Sequence, residues 1–172
     1  MPALLRLRLR PGAVDYASFR YAFPLPEFIG RAKLAGDCGL ARQIGRLMAS
    51  RPPVAASDFD VVCAVPLPGL RAVRRGYNQA LEMARPVAAV LDLPLSGSLL
   101  TRAGARAQRG LNRVERQRNV ALAFRADPRV RGRRVLLIDD VTTTGATLRE
   151  ASRALYAAGA ARVVGWAAAA VD

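Results

Sequence analysis

The stretch Val135–Thr147 reads V-L-L-I-D-D-V-T-T-T-G-A-T and decides the fold class of this 172-residue chain. Its first four residues are apolar on both faces, as in a central strand of a parallel sheet. An apolar stripe from Leu148 to Ala158 then predicts a helix that Gly159 ends. A buried strand followed directly by a helix is the repeating unit of α/β proteins.

Further strands and helices are predicted on both sides of this unit. Residues 59–65 and Arg162–Val171 have the composition of buried strands, and Asn78–Leu91 has helical spacing. We therefore expect an α/β domain with a mainly parallel, twisted sheet flanked by helices. Ligands of such sheets bind at the carboxyl ends of the strands.

The N-terminal part of the chain has a different pattern. The alternation of leucine and arginine from Arg6 to Arg10 fits either a half-buried strand or a frayed basic tail. Two short helices are predicted between Pro26 and Ser50, followed by a connection over 50–58. Residues 1–58 are thus predicted to form a strand and helical hood on a core of residues 59–172, within the same domain.

Arginine, glycine and polar residues dominate residues 96–118. This composition predicts a long mobile loop, with a short strand at Leu99–Leu100 as an option. Long loops in compact domains usually carry function.

The chain is strongly basic, with 27 lysine and arginine residues against 13 aspartate and glutamate residues and a formal charge of +14. Lys33 is its sole lysine. The arginine excess fits either coding bias or attraction to phosphate groups.

Histidine is absent from the sequence, which excludes a chymotrypsin-like triad, a papain-like dyad and a histidine-ligated zinc site.

Cys38 and Cys63 lack the CxxC spacing of a zinc or redox centre, so we expect two buried, reduced thiols and no zinc in this chain. The longest apolar run, Val163–Val171, is shorter than the roughly 20 residues that span a bilayer. The N-terminus has no apolar h-region. The sequence therefore predicts a cytoplasmic protein without membrane insertion.

Asp139 and Asp140 stand at the carboxyl end of the predicted central strand, where their natural partners are hydroxyl donors or a divalent cation. Four threonines surround Gly145 in the loop that follows, and the N–H groups of the next helix complete a cradle for an anion. A sugar phosphate with vicinal hydroxyls satisfies both halves. The alternative is that Asp140 or Thr142 caps the helix while Asp139 is a solvated strand end.

Two other segments are candidate anion sites. In residues 65–80, three arginines precede a helix whose first turn holds Asn78 and Gln79. The alternative for this segment is a solvated basic loop. The segment Arg102–Asn119 is predicted to close over a bound anion as a lid, or else to be a disordered basic loop.

Residues 135–147 resemble the phosphoribosyl pyrophosphate (PRPP) motif of type I phosphoribosyltransferases over thirteen consecutive positions, with Thr142 where that family usually has an aliphatic residue. The motifs R-R-G-Y-N-Q, then R…Q…L…R…R-N, then I-D-D-V-T-T-T-G-A-T-L, resemble in this order the ComF family, which includes the GntX proteins and is associated with DNA uptake in bacterial competence. The resemblance extends from Tyr21, through Lys33 in F-I-G-R-A-K, to Trp166. Family members commonly begin with a cysteine zinc ribbon, and this sequence has none.

The resemblance implies a role for each motif. Asp139 and Asp140 would be the catalytic residues, engaging the ribose hydroxyls of PRPP and assisting the Mg²⁺ that PRPP brings. The residues implied to hold the 5′-phosphate are Val141, Thr142, Thr143, Thr144, Gly145, Ala146 and Thr147. Those implied to face pyrophosphate are Pro68, Arg71, Arg74, Arg75 and Gly76. The implied flexible-loop residues are Arg102, Gln108, Arg109, Arg116 and Asn119.

Two functions follow as expectations from the resemblance and the charge. The first is a Mg²⁺-dependent phosphoribosyltransferase with an unidentified acceptor, acting in DNA uptake. The second is a non-catalytic module that senses nucleotides or grips single-stranded DNA, with competence proteins as partners. Single-strand binding needs stacking aromatics, for which the candidates are Tyr16, Tyr21, Tyr77 and Phe124.

Overall fold

The computed structural model describes residues 5–10, 13–35, 37–67, 76–102 and 124–171. Its strands in chain order are β1 Leu5–Arg10, β2 Ala13–Arg20, β3 Val61–Ala64, β4 Leu95–Ser96, β5 Leu100–Arg102, β6 Phe124–Ala126, β7 Arg134–Thr142 and β8 Arg162–Ala170. Its α-helices are α1 Leu25–Ala35, α2 Cys38–Ala49, α3 Gln79–Leu91 and α4 Ala146–Ala157.

Six of the strands form one sheet in the spatial order β1-β2-β8-β7-β3-β4. The pair β1–β2 is antiparallel, and every other neighbouring pair is parallel. Strands β5 and β6 form a separate antiparallel pair. This is the mainly parallel sheet that the sequence predicts, and it brings the carboxyl ends of β2, β8, β7 and β3 to one edge.

The central strands β7 and β8 are buried almost throughout. Helices α2 and α3 pack together on one face with Met48, Met83 and Trp166 in the core. Helix α4 covers the other face, where Leu148 and Leu155 are fully buried. Burial on both faces explains why β7 and β8 have no alternation of polar and apolar residues.

The predicted helices are confirmed, and local signals explain their ends. The Asp37 carboxylate accepts a hydrogen bond from Leu40 N at 2.9 Å and so caps α2. Asn78 caps α3 by accepting from Ala80 N at 3.1 Å. Gly159, with φ of 96°, follows α4 as predicted.

Several expectations about the strands need correction. The pattern at Arg6–Arg10 is a strand and not a tail, because β1 pairs with β2. Strand β2 was not predicted, and its polar residues Asp15 and Ser18 are buried. Strands β4 and β6 were not predicted either. Residues 96–102, predicted as a loop with an optional short strand at Leu99–Leu100, contain the end of β4 and all of β5, which begins at Leu100.

The two cysteines differ in their surroundings. Both are free, but only Cys63 is buried, and Cys38 is half-buried at the start of α2, which corrects the expectation of two buried thiols. Burial raises the pKa of the Cys63 thiol to about 12.

None of the described helices has the length and apolar character that a membrane crossing requires.

Candidate functional site

A cavity of about 230 Å³ lies at the carboxyl ends of β3 and β7. Residues from five parts of the chain line it: Lys33 of α1; Val65, Pro66 and Leu67 after β3; Asn78, Gln79 and Ala80 at the start of α3; Arg102 of β5; and Asp139, Asp140, Val141 and Thr147 around the β7–α4 connection. The cavity is therefore at the edge of the sheet where parallel α/β folds bind ligands.

The two adjacent carboxylates at the end of β7 are fixed by the backbone that follows them. Asp139 Oδ1 accepts a hydrogen bond from Asp140 N at 2.9 Å. Asp140 Oδ1 accepts from Val141 N at 2.6 Å. Both side chains line the cavity, so their orientation is set before any ligand arrives.

Burial and the neighbouring charge of Asp140 raise the pKa of Asp139 to about 8. Asp139 is only 7% exposed, so its ionised form loses most of its hydration. Lys33 and Arg102 oppose this shift electrostatically. Burial and the neighbouring carboxylate therefore favour the protonated form of Asp139 in the free protein.

Two cations face these carboxylates from elements that are distant in the sequence. Lys33 Nζ lies 2.8 Å from Asp140 Oδ2. The Arg102 guanidinium lines the same cavity and lies over the Phe124 ring, 4.9 Å from its centroid. The cavity wall thus carries both negative and positive groups. Carboxylates can accept hydrogen bonds from the hydroxyls of a ligand, and the cations can bind its phosphate groups.

The loop between β7 and α4 has the geometry of an anion cradle. Thr143 and Thr144 are exposed, and Gly145 adopts a left-handed conformation with φ of 72° directly before α4. Gly145 supplies no capping side chain, so the N–H groups of the first turn of α4 are left for water or an anion. The alternative that Asp140 or Thr142 caps this helix is wrong, since both residues lie within β7.

The structure brings together part of the predicted site. Asp139, Asp140, Val141, Thr147 and Arg102 line the cavity. Thr142 is buried at the end of β7, and Ala146 is the exposed first residue of α4, so neither contributes to the cavity wall. Gly76 is exposed with φ of 71° and also lies outside the wall. Thr143, Thr144 and Gly145 form the connection between β7 and α4 and are not among the residues of the cavity wall. The other predicted residues lie outside the described part of the chain: Pro68, Arg71, Arg74, Arg75, Gln108, Arg109, Arg116 and Asn119.

Lys33 is the site residue that sequence reasoning missed. The F-I-G-R-A-K segment that contains it belongs to the family resemblance, but no pattern in the sequence places Lys33 in the site. The one feature of the sequence that could have pointed to Lys33 is that it is the sole lysine, since arginine fills every other basic position of the chain.

The carboxylate pair does not fit a magnesium site built from protein groups alone. Backbone N–H groups and Lys33 already contact three of the four carboxylate oxygens of Asp139 and Asp140. The described ranges contain no group of three or more histidine, cysteine, aspartate or glutamate residues placed to hold a metal ion. Mg²⁺ in phosphate-binding enzymes usually combines one or two carboxylates with phosphate oxygens and water.

Comparison with known proteins decides the family. The phosphoribosyl transferase domain family matches residues 55–170. The chain is 34% identical over 152 residues to DNA utilization protein YhgH of Escherichia coli (strain K12), covering 85% of this chain and 67% of YhgH. It is 33% identical over 155 residues to competence protein F of Haemophilus influenzae, covering 85% of this chain and 68% of that protein. This chain belongs to the ComF family of phosphoribosyl transferase domain proteins.

Solved structures agree on the fold of this ComF-family chain. It superposes on glutamine phosphoribosylpyrophosphate amidotransferase from B. subtilis, solved with ADP and GMP, with a TM-score of 0.56 and 23% sequence identity. The match covers 74% of this chain but 26% of the amidotransferase, so the ComF-family chain spans about a quarter of that enzyme's length. The predicted type I phosphoribosyltransferase-like fold is thereby confirmed.

Proposed function

We propose that this ComF-family chain binds PRPP and transfers its ribose 5-phosphate to an acceptor. The observation that supports this most is the cavity at the carboxyl end of β7, where the Asp139–Asp140 pair and Thr147 of α4 line the same wall. In this proposal the cradle formed by the β7–α4 loop takes the 5′-phosphate, and the carboxylates accept hydrogen bonds from the ribose hydroxyls.

The proposed reaction is a displacement at the anomeric carbon. The bond from C1 to the diphosphate oxygen breaks, the diphosphate leaves with the electron pair, and a nucleophile of the acceptor forms the new bond to C1. Positive charge develops on the sugar as the bond breaks, and the Asp140 carboxylate stabilises it. Magnesium is proposed to enter bound to the diphosphate, whose charge it neutralises.

Calorimetric titration with PRPP and Mg²⁺ tests this proposal. We expect saturable binding to the unaltered protein and loss of binding in the double variant Asp139→Asn, Asp140→Asn. Asp92→Asn is the matched control, because Asp92 is exposed at the end of α3, and asparagine tolerates its left-handed backbone. Equal affinity of the double variant and the control would contradict the proposed site.

We further propose a role in handling DNA that the cell takes up. The names of the two relatives, DNA utilization protein and competence protein F, support this role. The formal charge of +14 gives the chain the sign that attracts nucleic acid. Competence proteins are the proposed partners in this process.

A second candidate, binding of single-stranded DNA, is favoured by an apolar groove at the same sheet edge. The groove has a volume of about 360 Å³ and is lined by Phe19, Arg20, Ala22, Phe23, Pro24, Leu25, Phe28 and Leu47. Phe23 is 81% exposed. Arg20 and Thr142 both pair in register with Ala170, which places the groove about 10 Å from the end of β7.

The structure changes which aromatic residues are candidates for base stacking. Of the four suggested by the sequence, Phe124 is buried, Tyr16 and Tyr77 are half-buried, and only Tyr21 is exposed. Phe23 and Phe28 are exposed beside Arg20 and were not among those candidates. Exposed aromatics next to a cation are the usual platform for unpaired bases.

Anisotropy of a labelled oligonucleotide, measured over a series of salt concentrations, tests the second candidate. We expect salt-dependent binding that the double variant Phe23→Ala, Phe28→Ala weakens by roughly 10-fold or more. Val90→Ala removes an exposed apolar side chain from α3 and serves as the control. Binding that is independent of salt, or unchanged in the double variant, would exclude this groove.

A further inference from the structure

The Lys33 side chain occupies a position next to Asp140 that is central to the proposed PRPP site. Its ammonium lies 2.8 Å from Asp140 Oδ2, with the two side chains 26% and 17% exposed. Lys33 is in the last turn of α1 and lines the same cavity as both carboxylates. An ammonium has three N–H donors, so a contact with one carboxylate oxygen leaves two donors for other groups.

The contact between Lys33 and Asp140 places a positive charge of the protein itself next to the carboxylate pair. Asp140 uses one carboxylate oxygen for Val141 N and the other for Lys33. The Lys33 ammonium therefore balances the charge of Asp140 from within the protein. A diphosphate ligand that approaches this cavity meets a cation that the protein already holds in place.

The use of lysine at this position is itself informative. Arginine occupies every other basic position in the chain. We infer that residue 33 needs a property of lysine that arginine does not provide. Lysine carries a compact point charge with rotatable donors, whereas the arginine guanidinium is a planar fork. A small cation can contact a carboxylate and a ligand oxygen at the same time inside a cavity of about 230 Å³.

The backbone next to Lys33 is held by the segment that leads into α3. The Tyr77 hydroxyl donates a hydrogen bond to the carbonyl of Ala32. The following residue, Asn78, donates from Nδ2 to the Val65 carbonyl at 2.9 Å. Helix α1 is thus fixed to both the β3 and α3 sides of the cavity, which positions Lys33 without the help of a ligand.

We propose that Lys33 is a built-in cation of the site, which donates to the diphosphate oxygens of the ligand while it holds Asp140. This inference rests on the proposed binding of PRPP. It implies that the chain retains much of its affinity for PRPP when Mg²⁺ is removed, and that this retention depends on an ammonium at residue 33.

Titration of PRPP in the presence of Mg²⁺ and in the presence of EDTA tests the proposal. We expect the unaltered protein to lose less than about 10-fold in affinity when Mg²⁺ is removed. Loss of a charge-assisted hydrogen bond predicts a further loss of roughly 10- to 100-fold for Lys33→Met in EDTA, with partial recovery in Mg²⁺. Lys33→Arg should also lose affinity in EDTA. Either variant matching the unaltered protein in EDTA would overturn the proposal.

Two controls separate a ligand contact from a structural role. Arg31→Met removes an exposed cation from the same helix and should change neither titration. Tyr77→Phe loosens α1 and should weaken binding equally with Mg²⁺ and with EDTA. If Lys33→Met also weakens PRPP binding equally with Mg²⁺ and with EDTA, the proposed role of Lys33 is overturned. The proposed function of the site would not be affected by that result. An unaltered protein that does not bind PRPP at all would overturn both this inference and the proposed function.

Discussion

Asp140 donates its backbone N–H to the Asp139 carboxylate, and yet the two side chains have different electrostatic surroundings. Asp140 is paired with Lys33, whereas Asp139 is buried beside the negative charge of its neighbour. Adjacent carboxyl groups with different surroundings are the usual means by which a site keeps one of them ionised and the other protonated.

The stability of the protein should therefore depend on Asp139 between about pH 4 and about pH 8. Its pKa is raised from 3.8 to about 8 on folding, so across this window the folded state holds a proton that the unfolded state has lost. The free energy of unfolding should fall as pH rises through the window, and Asp139→Asn should remove that part of the fall. Urea denaturation at several pH values measures it. Parallel curves for the variant and the unaltered protein would show that Asp139 is ionised in the fold.

Replacement of Glu82 should weaken the contact between α2 and α3. Glu82 of α3 accepts from Arg42 at 2.6 Å and from Arg85 at 3.0 Å. Burial alone would raise the pKa of Glu82, but the two guanidiniums outweigh burial and hold it below its ordinary value. Because both arginines are half exposed, we expect Glu82→Gln to lower the free energy of unfolding by about 1–2 kcal/mol.

Chemical denaturation of a matched surface pair provides the comparison for Glu82. Glu150 pairs with Arg153 at 3.1 Å on α4, with the same spacing in sequence as Glu82 and Arg85. Its change to glutamine should cost less than about 0.5 kcal/mol, because exposed ion pairs contribute little. Equal costs at the two positions would mean that the α2–α3 contact does not depend on Glu82.

Substitution of Gly145 should affect both stability and ligand binding. Gly145 and Gly132 have nearly the same left-handed backbone, with φ of 72° and 71°. Alanine at either position should lower the free energy of unfolding by about 1–2 kcal/mol. Only Gly145→Ala should also weaken PRPP binding, since Gly132 lies before β7, at the opposite end from the cavity. Calorimetry on both variants distinguishes the effects, and equal affinities would place the phosphate elsewhere.

Helices α2 and α3 approach so closely that a methyl group at Gly45 has no space. A Cβ there would lie 2.7 Å from Pro86 Cγ and 2.8 Å from Met83 Cα. We expect Gly45→Ala to destabilise the protein by about 1–3 kcal/mol through overpacking. Gly30 in α1 has open space around its Cα, so Gly30→Ala should be stabilising by about 0.5–1 kcal/mol. Thermal melting of both variants tests the difference, which a similar melting temperature for the two would contradict.

The core of the fold could be predicted because its signals are local. The apolar run into Asp139 and the turn at Gly145 identify β7 and α4 without knowledge of the rest of the chain. Strand β2 was not predicted because the contacts that bury its polar residues are made with residues far away in the sequence. Asp15 in β2 is buried because its Oδ1 accepts from Gly165 N at 2.7 Å, and Ser18 Oγ accepts from Trp166 Nε1 at 2.8 Å. These partners are about as far away in sequence as the chain allows.

The candidate site shows the same limit. The pair Asp139–Asp140 and the first turn of α4 are contiguous in sequence, so their chemistry was predictable from one stretch. Lys33 belongs to the site because α1 packs near the end of β7, which no local pattern around residue 33 encodes. A site residue supplied by a distant helix becomes visible only when the fold is known.

The position of β8 determines when this protein can acquire its structure during synthesis. Strand β8 is last in the sequence but lies between β2 and β7. In the fold, β8 covers one edge of β2 and one edge of β7, so both of these edges are unpaired until β8 is in place. Such edges are templates for pairing with other chains. Pairing of β8 therefore joins the two parts of the sheet, and we expect a chain that stops before Arg162 to expose both edges and to aggregate.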